Sequence, residues 1–487
     1  MFSRLKRCSK YFIISCFGLS ILTSTIQIYK FKSQTHGLLQ YLADDPHKID
    51  SEAEKAVFDQ FHWSKQMQIC RNRLSWKDRN TVKEERTNVE FSIIEISINE
   101  SNQNIHGKVT IETFDWKKRR KAIGGDYYRV FLTEKSRNFK LHVRMFDNDD
   151  GTYIGVFKPP YEGLYSLEAT IEYSMCEGFT DPPKDWFAKG SIQGEFQPEG
   201  TAGELDHFTN QPFPKLNFTI QNSPEIKFRE KTRHSSVINT NRGYWFKGKY
   251  IPYNDGTPND RQKSIKSTNT SFQKMIIYGD SLNYRFYNSL KRHRLCREMF
   301  RECVRIYSWN YKHEGEESNN FLLDRTKKTG QDFNRTKYLN EIRTEILQNN
   351  TEVFIINFGI HLTSTVSMET AMSVFDDFLK MVAKLRLERR EATPLVIWKT
   401  TTPPFFEYSR HQMKTTSRFI TKQRVEAWNS YTMEKCKQNG LPVLDVWDQA
   451  ISSTNTYPTV DFIHLQDEVF SEAEHDLERF IRLYFSI

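Results

Sequence analysis

The sequence predicts a multidomain chain: an N-terminal transmembrane anchor, an antiparallel β-sandwich, and an α/β three-layer domain built on a parallel sheet. Three observations predict it. Residues 11–29 are free of charge and largely apolar, six short runs between Val89 and Ser174 alternate apolar with polar residues, and past Phe272 continuous apolar runs lie between longer helical patterns. At 487 residues the chain is too long for one core of ordinary size, which by itself points to two folded domains plus connecting segments.

The stretch "YFIISCFGLSILTSTIQIY" has 19 residues, close to the ~20 a helix needs to cross a bilayer. Arg4, Lys6, Arg7 and Lys10 precede it and Lys30 and Lys32 follow, so the positive-inside rule keeps residues 1–10 cytoplasmic and sends the rest to the lumenal side. A type II signal anchor in the ER or Golgi membrane follows. Ser24, Thr25 and Gln27 weaken it, and a cleaved signal peptide with a secreted product is the alternative. Those six basic residues carry most of the net charge of +9, leaving about +3 elsewhere, without a basic stripe suited to a run of phosphates. Nucleic acid is therefore not expected as a partner.

Lumenal exposure agrees with five N-x-[ST] acceptors, at Asn99, Asn217, Asn269, Asn334 and Asn349. Cys8 and Cys16 lie in or beside the anchor. The other five cysteines, Cys70, Cys176, Cys296, Cys303 and Cys436, allow two disulfides and one leftover thiol. Cys70 with Cys176 is the preferred pair, although connectivity is not fixed by sequence. No C-x-x-C or clustered His/Cys spacing suggests a metal site.

Residues 30–60 are polar and lack apolar periodicity, which reads as a stem. Within 61–188, "VEFSIIEIS", "HGKVTIETF", "GGDYYRVFL", "FKLHVRMF", "GTYIGVF" and "YSLEATIEYS" read as strands of a sandwich. The pattern D-G-T-Y, strand, P-P-x-x-G-x-Y, strand, with turns at Gly151 and Gly163, resembles immunoglobulin-like filamin-type repeats. Asp147, Asn148 and Asp149 lack the Gly and terminal Glu of a calcium loop and read as a hairpin turn. Residues 189–270 have few apolar runs and read as a connection. There Tyr244, Trp245 and Phe246 either stack on a sugar or pin a loop to a neighbouring domain.

In 271–487, "MIIY", "VFIINF", "LVIWKT" and "LPVLDVW" look like buried strands, and Met368, Met372, Phe375, Leu379, Val382 and Leu385 mark the clearest helix. Function in such sheets collects at the carboxyl ends of the strands. Ser281 follows the strand "MIIYGD" directly, where a tight turn exposes Oγ and puts its N–H at a helix N-terminus. A serine requires a base that a third group orients. "YPTVDFIHLQDEVF" supplies one, with Asp461 placed to hold His464. The same D-x-x-H occurs at Asp44 to His47 in the stem, without a fold around it. "INFGIHL" offers a Gly359 N–H, with Asn357 or His361 as a side-chain donor to an oxyanion, although His361 reads equally as a strand-end residue. Arg285 lies one turn beyond Ser281, either orienting that turn or meeting a negative acyl donor, with a surface ion pair as the alternative.

Gly-Asp-Ser at 279–281, the strand with Gly359 and His361, "VIWKTTTPP" and Asp461 to His464 together resemble a PC-esterase domain, a branch of the SGNH or GDSL-like hydrolase fold. The anchor, the sandwich with "GGDYYRVFL" and "DNDDGTYIGVF", and the order of parts resemble the neurexophilin and PC-esterase (NXPE) domain family over roughly residues 60–487. The resemblance implies an acyl esterase or O-acetyltransferase of complex carbohydrates. Ser281 would be the nucleophile, His464 the base, Asp461 its partner, and Gly359 would lie near the oxyanion hole. His361 stands where the wider SGNH group has Asn. A glycan substrate is implied, with no bound cofactor and an acyl donor such as acetyl-CoA for a transferase. The sandwich would be free to recognise a protein partner. A non-catalytic binding or adhesion protein with an inert SGNH-like domain is the alternative class.

Overall fold

The computed structural model describes residues 63–74, 83–101, 104–182, 208–221, 237–238, 243–247, 249–252, 272–307, 335–408, 418–453 and 461–485. The proposed tail, anchor and stem, and the acceptors Asn269 and Asn334, lie outside the described residues. Among those described, no helix is long and apolar enough to cross a membrane.

After helix α1 (Trp63–Cys70), nine strands run in order: β1 (Ile93–Ser101), β2 (Asn104–Glu112), β3 (Tyr127–Glu134), β4 (Phe139–Val143), β5 (Met145–Asp147), β6 (Thr152–Phe157), β7 (Gly163–Tyr173), β8 (Gln211–Pro212) and β9 (Leu216–Ile220). One antiparallel sheet has the order β1-β2-β6-β5. A second carries β4-β3-β7-β8, with β9 also on β7. Val109, Ile111, Tyr153 and Phe157 of the first meet Val130, Leu132, Leu141, Tyr165 and Leu167 of the second in one core, which makes the pair a sandwich. The run read as one strand, "FKLHVRMF", divides at Arg144: β4 pairs β3 and β5 pairs β6, so the chain changes sheets there. Asp147 ends β5 in a hairpin turn, its carboxylate accepting the Gly125 and Asp149 amides at 2.6 and 2.8 Å.

The segment 189–270 is more than a connection. Residues 208–221 return to the sandwich as β8 and β9. Next, β10 (Val237–Ile238) joins the other domain's sheet, and β11 (Gly243–Phe246) and β12 (Lys249–Pro252) extend the seven-stranded sheet beside β4. These strands are two to five residues long, too short to give a periodic signal. Tyr244 and Trp245 are buried, and Trp245 Nε1 donates to the Gln449 carbonyl at 2.9 Å, so this aromatic group pins the two layers together. At the other boundary, α1 packs on the α/β core through Met67 and Ile69 instead of joining the sandwich, and the Cys70–Cys176 disulfide ties it there.

The α/β layer is a parallel sheet in the order β10-β17-β16-β15-β13-β14, with β13 (Phe272–Gly279), β14 (Phe300–Tyr307), β15 (Thr351–Asn357), β16 (Leu395–Lys399) and β17 (Val443–Leu444). Alternation along each strand makes three layers. Ile276, Tyr278, Phe354 and Trp398 face helices α3 (Arg335–Ile346), α5 (Met368–Arg389) and α6 (Lys422–Gln438), while Met275, Ile277, Ile355 and Ile397 face α2 (Ser281–Arg292) and α8 (Ser471–Tyr484). Short helices α4 (Ile360–Thr365) and α7 (Trp447–Ser452) complete it. α5 begins where Ser367 caps it, accepting the Thr370 amide at 3.2 Å, and all six apolar positions that marked it are buried. A second disulfide joins Cys296 to Cys303, and Cys436 is free and buried.

A polar seam joins α2 to α8. Ser289 donates to Glu474 and to the Asp467 carbonyl, and Arg292 pairs with Asp467 at 2.9 Å. Burial, aided by the Asp467 charge, pushes Glu474 up to about 7 against the Ser289 bond. A raised acid binds its proton more tightly folded than unfolded, so this group favours the fold at low pH and loses that advantage as pH rises through about 7. Glu474→Gln is expected to leave the melting temperature unchanged at pH 4.5 and to raise it by a few degrees at pH 8. Equal shifts at both pH values would show that Glu474 titrates normally.

Candidate active site

β13 delivers the first element. Gly279 ends the strand at φ 152°, a conformation that L side chains rarely adopt, and a Cβ there would overlap the Asn357 carbonyl of the neighbouring strand. Asp280 then caps α2, its Oδ1 accepting the Leu282 amide at 2.9 Å, and Ser281 is the first helical residue, only partly buried. Asn283 secures the turn from inside by donating to the Tyr278 carbonyl at 2.7 Å.

The second element follows β15. Gly359 caps α4 where a Cβ would overlap Thr401 Oγ1 and Trp428 Nε1, so only glycine fits this approach. Asn357 is fully buried and its amide donates to the Lys399 carbonyl at 2.8 Å and to Thr401 Oγ1 at 3.0 Å. Both of its protons thus hold the end of β16, which takes Asn357 out of the oxyanion-donor role read for it. His361 opens α4. Burial, and secondarily the charge of His464, push it down to about 3, so its ring is neutral at ordinary pH.

The third element is the loop before α8. His464 Nδ1 lies 2.6 Å from Asp461 Oδ2, while Asp461 Oδ1 accepts the Ile463 and His464 amides at 2.8 Å each. Burial alone would raise Asp461, but the His464 ring and these two amides outweigh it and hold the carboxyl down to about 2. The remaining nitrogen, His464 Nε2, is shielded from solvent and has no hydrogen-bond partner among the described residues. The charge of His464 acts on both Asp280 and His361, which brings the three loops into one electrostatic neighbourhood at the carboxyl ends of β13 and β15. Arg285 is half-buried on α2 and makes no ion pair among the described residues.

Two groups here had no role in the sequence reading. Asp280 is buried, and burial raises its carboxyl against the Leu282 amide and Lys399. Lys399 is fully buried at the end of β16 and burial lowers it, with Asp280 opposing. A lysine inside the apolar run "LVIWK" was the readable signal for the second, and an acid one residue before a helix for the first.

Elsewhere among the described residues, the one cluster with metal-ligand chemistry is His293, His475 and Glu478, at the far end of α2. It does not fit an ion well. Glu478 already accepts Arg294 and Arg482 at 2.6 and 2.9 Å, and His293 Nδ1 accepts the Leu295 amide at 3.2 Å, which in the neutral ring leaves the proton on Nε2, the nitrogen an ion would need. Of the glycosylation acceptors, Asn217 is exposed on β9 and Asn349 on the turn before β15, while Asn99 lies in β1.

No family model matches the chain, and no curated protein matches its sequence. Solved structures similar to it include a GDSL-like lipase from Bacteroides thetaiotaomicron, at 11% identity and a TM-score of 0.30, over 46% of this chain and 95% of that one. A carbohydrate acetylesterase from Sinorhizobium meliloti is similar at 11% identity and a TM-score of 0.31, over 44% of this chain and all of that one. An inhibitor-bound aryl esterase of M. smegmatis is similar at 12% and 0.31, over 44% and 99%.

Proposed function

We propose that the chain is a serine acyl-transfer enzyme of the SGNH kind that adds or removes O-acetyl groups on glycans. The observation that carries this is the Asp461–His464 pair, whose geometry leaves Nε2 without a partner in the same neighbourhood as the helix that Ser281 opens. In the proposed reaction Ser281 Oγ attacks an ester or thioester carbonyl while His464 Nε2 takes its proton. The leaving group departs with that proton and the acyl group stays on Ser281. A sugar hydroxyl or water, deprotonated by the same nitrogen, then resolves the acyl-serine. The Ser281 and Gly359 amides are the candidate oxyanion donors, and Asp461 orients the imidazole.

The resemblance to the NXPE family supports the glycan as acceptor or substrate and acetyl-CoA as a donor. The Cys70–Cys176 and Cys296–Cys303 disulfides and the exposed Asn217 and Asn349 acceptors support a place on the lumenal side of the secretory pathway, anchored by residues 11–29. The test is turnover of aryl acetate and of O-acetylated glycans, and acetyl transfer from acetyl-CoA to unmodified glycans. Ser281→Ala and His464→Ala are each expected to lower whichever activity is found by roughly 10³-fold or more. Activity that survives in both would overturn the proposal. Absence of every activity in the folded wild type would leave the binding protein with an inert α/β layer.

A further inference from the structure

We infer that Phe208, a sandwich residue, is a positioning residue for His464, acting through a chain of packed rings. The first link is inside the sandwich, where Phe208 packs on Tyr173 of β7 with centroids 5.5 Å apart, fixed by a Thr209 amide bond to the Glu172 carbonyl at 2.9 Å. The second crosses between layers: Phe208 meets Phe406 edge to face at 6.1 Å. The third reaches the catalytic loop, where Phe406 stacks on Phe462 at 5.1 Å and 24°. Phe462 sits between Asp461 and His464, and its carbonyl accepts the Phe405 amide at 2.6 Å, so this loop is clamped to residues 405–406 by backbone as well as ring.

The same apolar cluster reaches the other two loops. Leu282 follows Ser281, Ile360 follows Gly359, and both are buried in the one core cluster that includes Phe131, Tyr173 and Phe208 of the sandwich. Residues 405–408 are themselves held against the sandwich by charge, since Lys422 bridges Glu407 at 2.8 Å and Glu172 at 2.7 Å. Offset and edge-on ring pairs have defined geometry and low rotational freedom, which suits them to fix a loop.

This rests on the acyl-transfer reading for its catalytic meaning, but the positioning itself has a separate readout. The experiment compares wild type, Phe208→Ala and Phe208→Leu by amide hydrogen exchange and by the rate of fluorophosphonate labelling. Phe208→Ala is expected to speed exchange at the Ile463 and His464 amides about tenfold or more, to leave α5 unchanged, and to slow labelling by a similar factor. Phe208→Leu, which keeps the site filled but loses the ring edge, is expected to give a smaller rise at the same amides, and it decides the question if the alanine variant does not fold. Unchanged exchange at 461–464 overturns the inference, as does a rise shared equally with α5, which would mark a merely structural contact. If the wild type takes no label while exchange responds as expected, the positioning stands and the acyl-transfer reading falls.

Discussion

Residues 271–487 produced without the rest of the chain are expected to be recovered as insoluble or molten protein, although they contain five of the six strands of the parallel sheet. Lys422 is buried against Glu172, which lies on β7 and would be gone, and breaking one side of a buried ion pair costs about 3–5 kcal/mol. Trp245 and Tyr250 belong to the core on the α2 face, and Cys70, Cys176 and Phe179 to the core on the other face. Removing a buried aromatic costs about 3–5 kcal/mol at each such position. These losses together match or exceed the roughly 5–15 kcal/mol by which domains are stable. Solubility, near-UV dichroism and a calorimetric scan check this. A soluble fragment that melts cooperatively within a few degrees of the full chain would contradict it.

Arg424→Met is expected to lower the unfolding free energy by about 3–5 kcal/mol, one of the largest effects of any single substitution. The side chain is fully buried, and its guanidinium donates to Thr363 O at 2.9 Å, Phe179 O at 2.9 Å, Thr180 O at 3.2 Å, Val366 O at 3.0 Å and Asp181 Oδ1 at 2.7 Å. Two of those carbonyls belong to the turn that ends α4, and the others to the segment leaving the sandwich after Cys176. Methionine fills the volume but leaves four buried acceptors and a carboxylate without their donor. Arg424→Lys is expected to recover only a small part, because a point ammonium does not span a planar fork of partners. Urea denaturation decides it. A loss below about 1 kcal/mol for Arg424→Met would show that water replaces the guanidinium at little cost.

Both effects arise in a boundary that the sequence does not display. The six runs that hold β1 to β7, the four central strands of the parallel sheet and α5 are legible: the sandwich runs alternate apolar with polar residues, the parallel strands are continuous apolar runs buried on both faces, and the apolar positions of α5 recur every three or four residues. β14 is not, since "FRECVRIY" lies at a sheet edge with charged side chains in water, and β10 is two residues long. Ser281 and Gly359 could be placed because turn chemistry sets them just past the ends of β13 and β15, and Asp461 and His464 because their local spacing pairs them, although they lie in the loop before α8 and not at a strand end. What could not be read is what fixes them. Phe208 to Phe406, Lys422 to Glu172 and Arg424 to Phe179 are contacts between residues 198–250 apart, and a buried Arg or Lys within "TKQRVEAW" has the same local pattern as a solvated helix face. Asn357 was misread for the same reason: its partner atoms belong to a strand 42 residues onward.

The central claim is that His464 activates Ser281. It is tested most directly by treating folded, disulfide-bonded residues 36–487 with a fluorophosphonate and mapping the adduct by mass spectrometry. The account predicts one adduct, on Ser281, absent from Ser281→Ala and reduced roughly 10³-fold or more in His464→Ala. A wild-type protein that stays unlabelled, or a label that persists in Ser281→Ala, would contradict it.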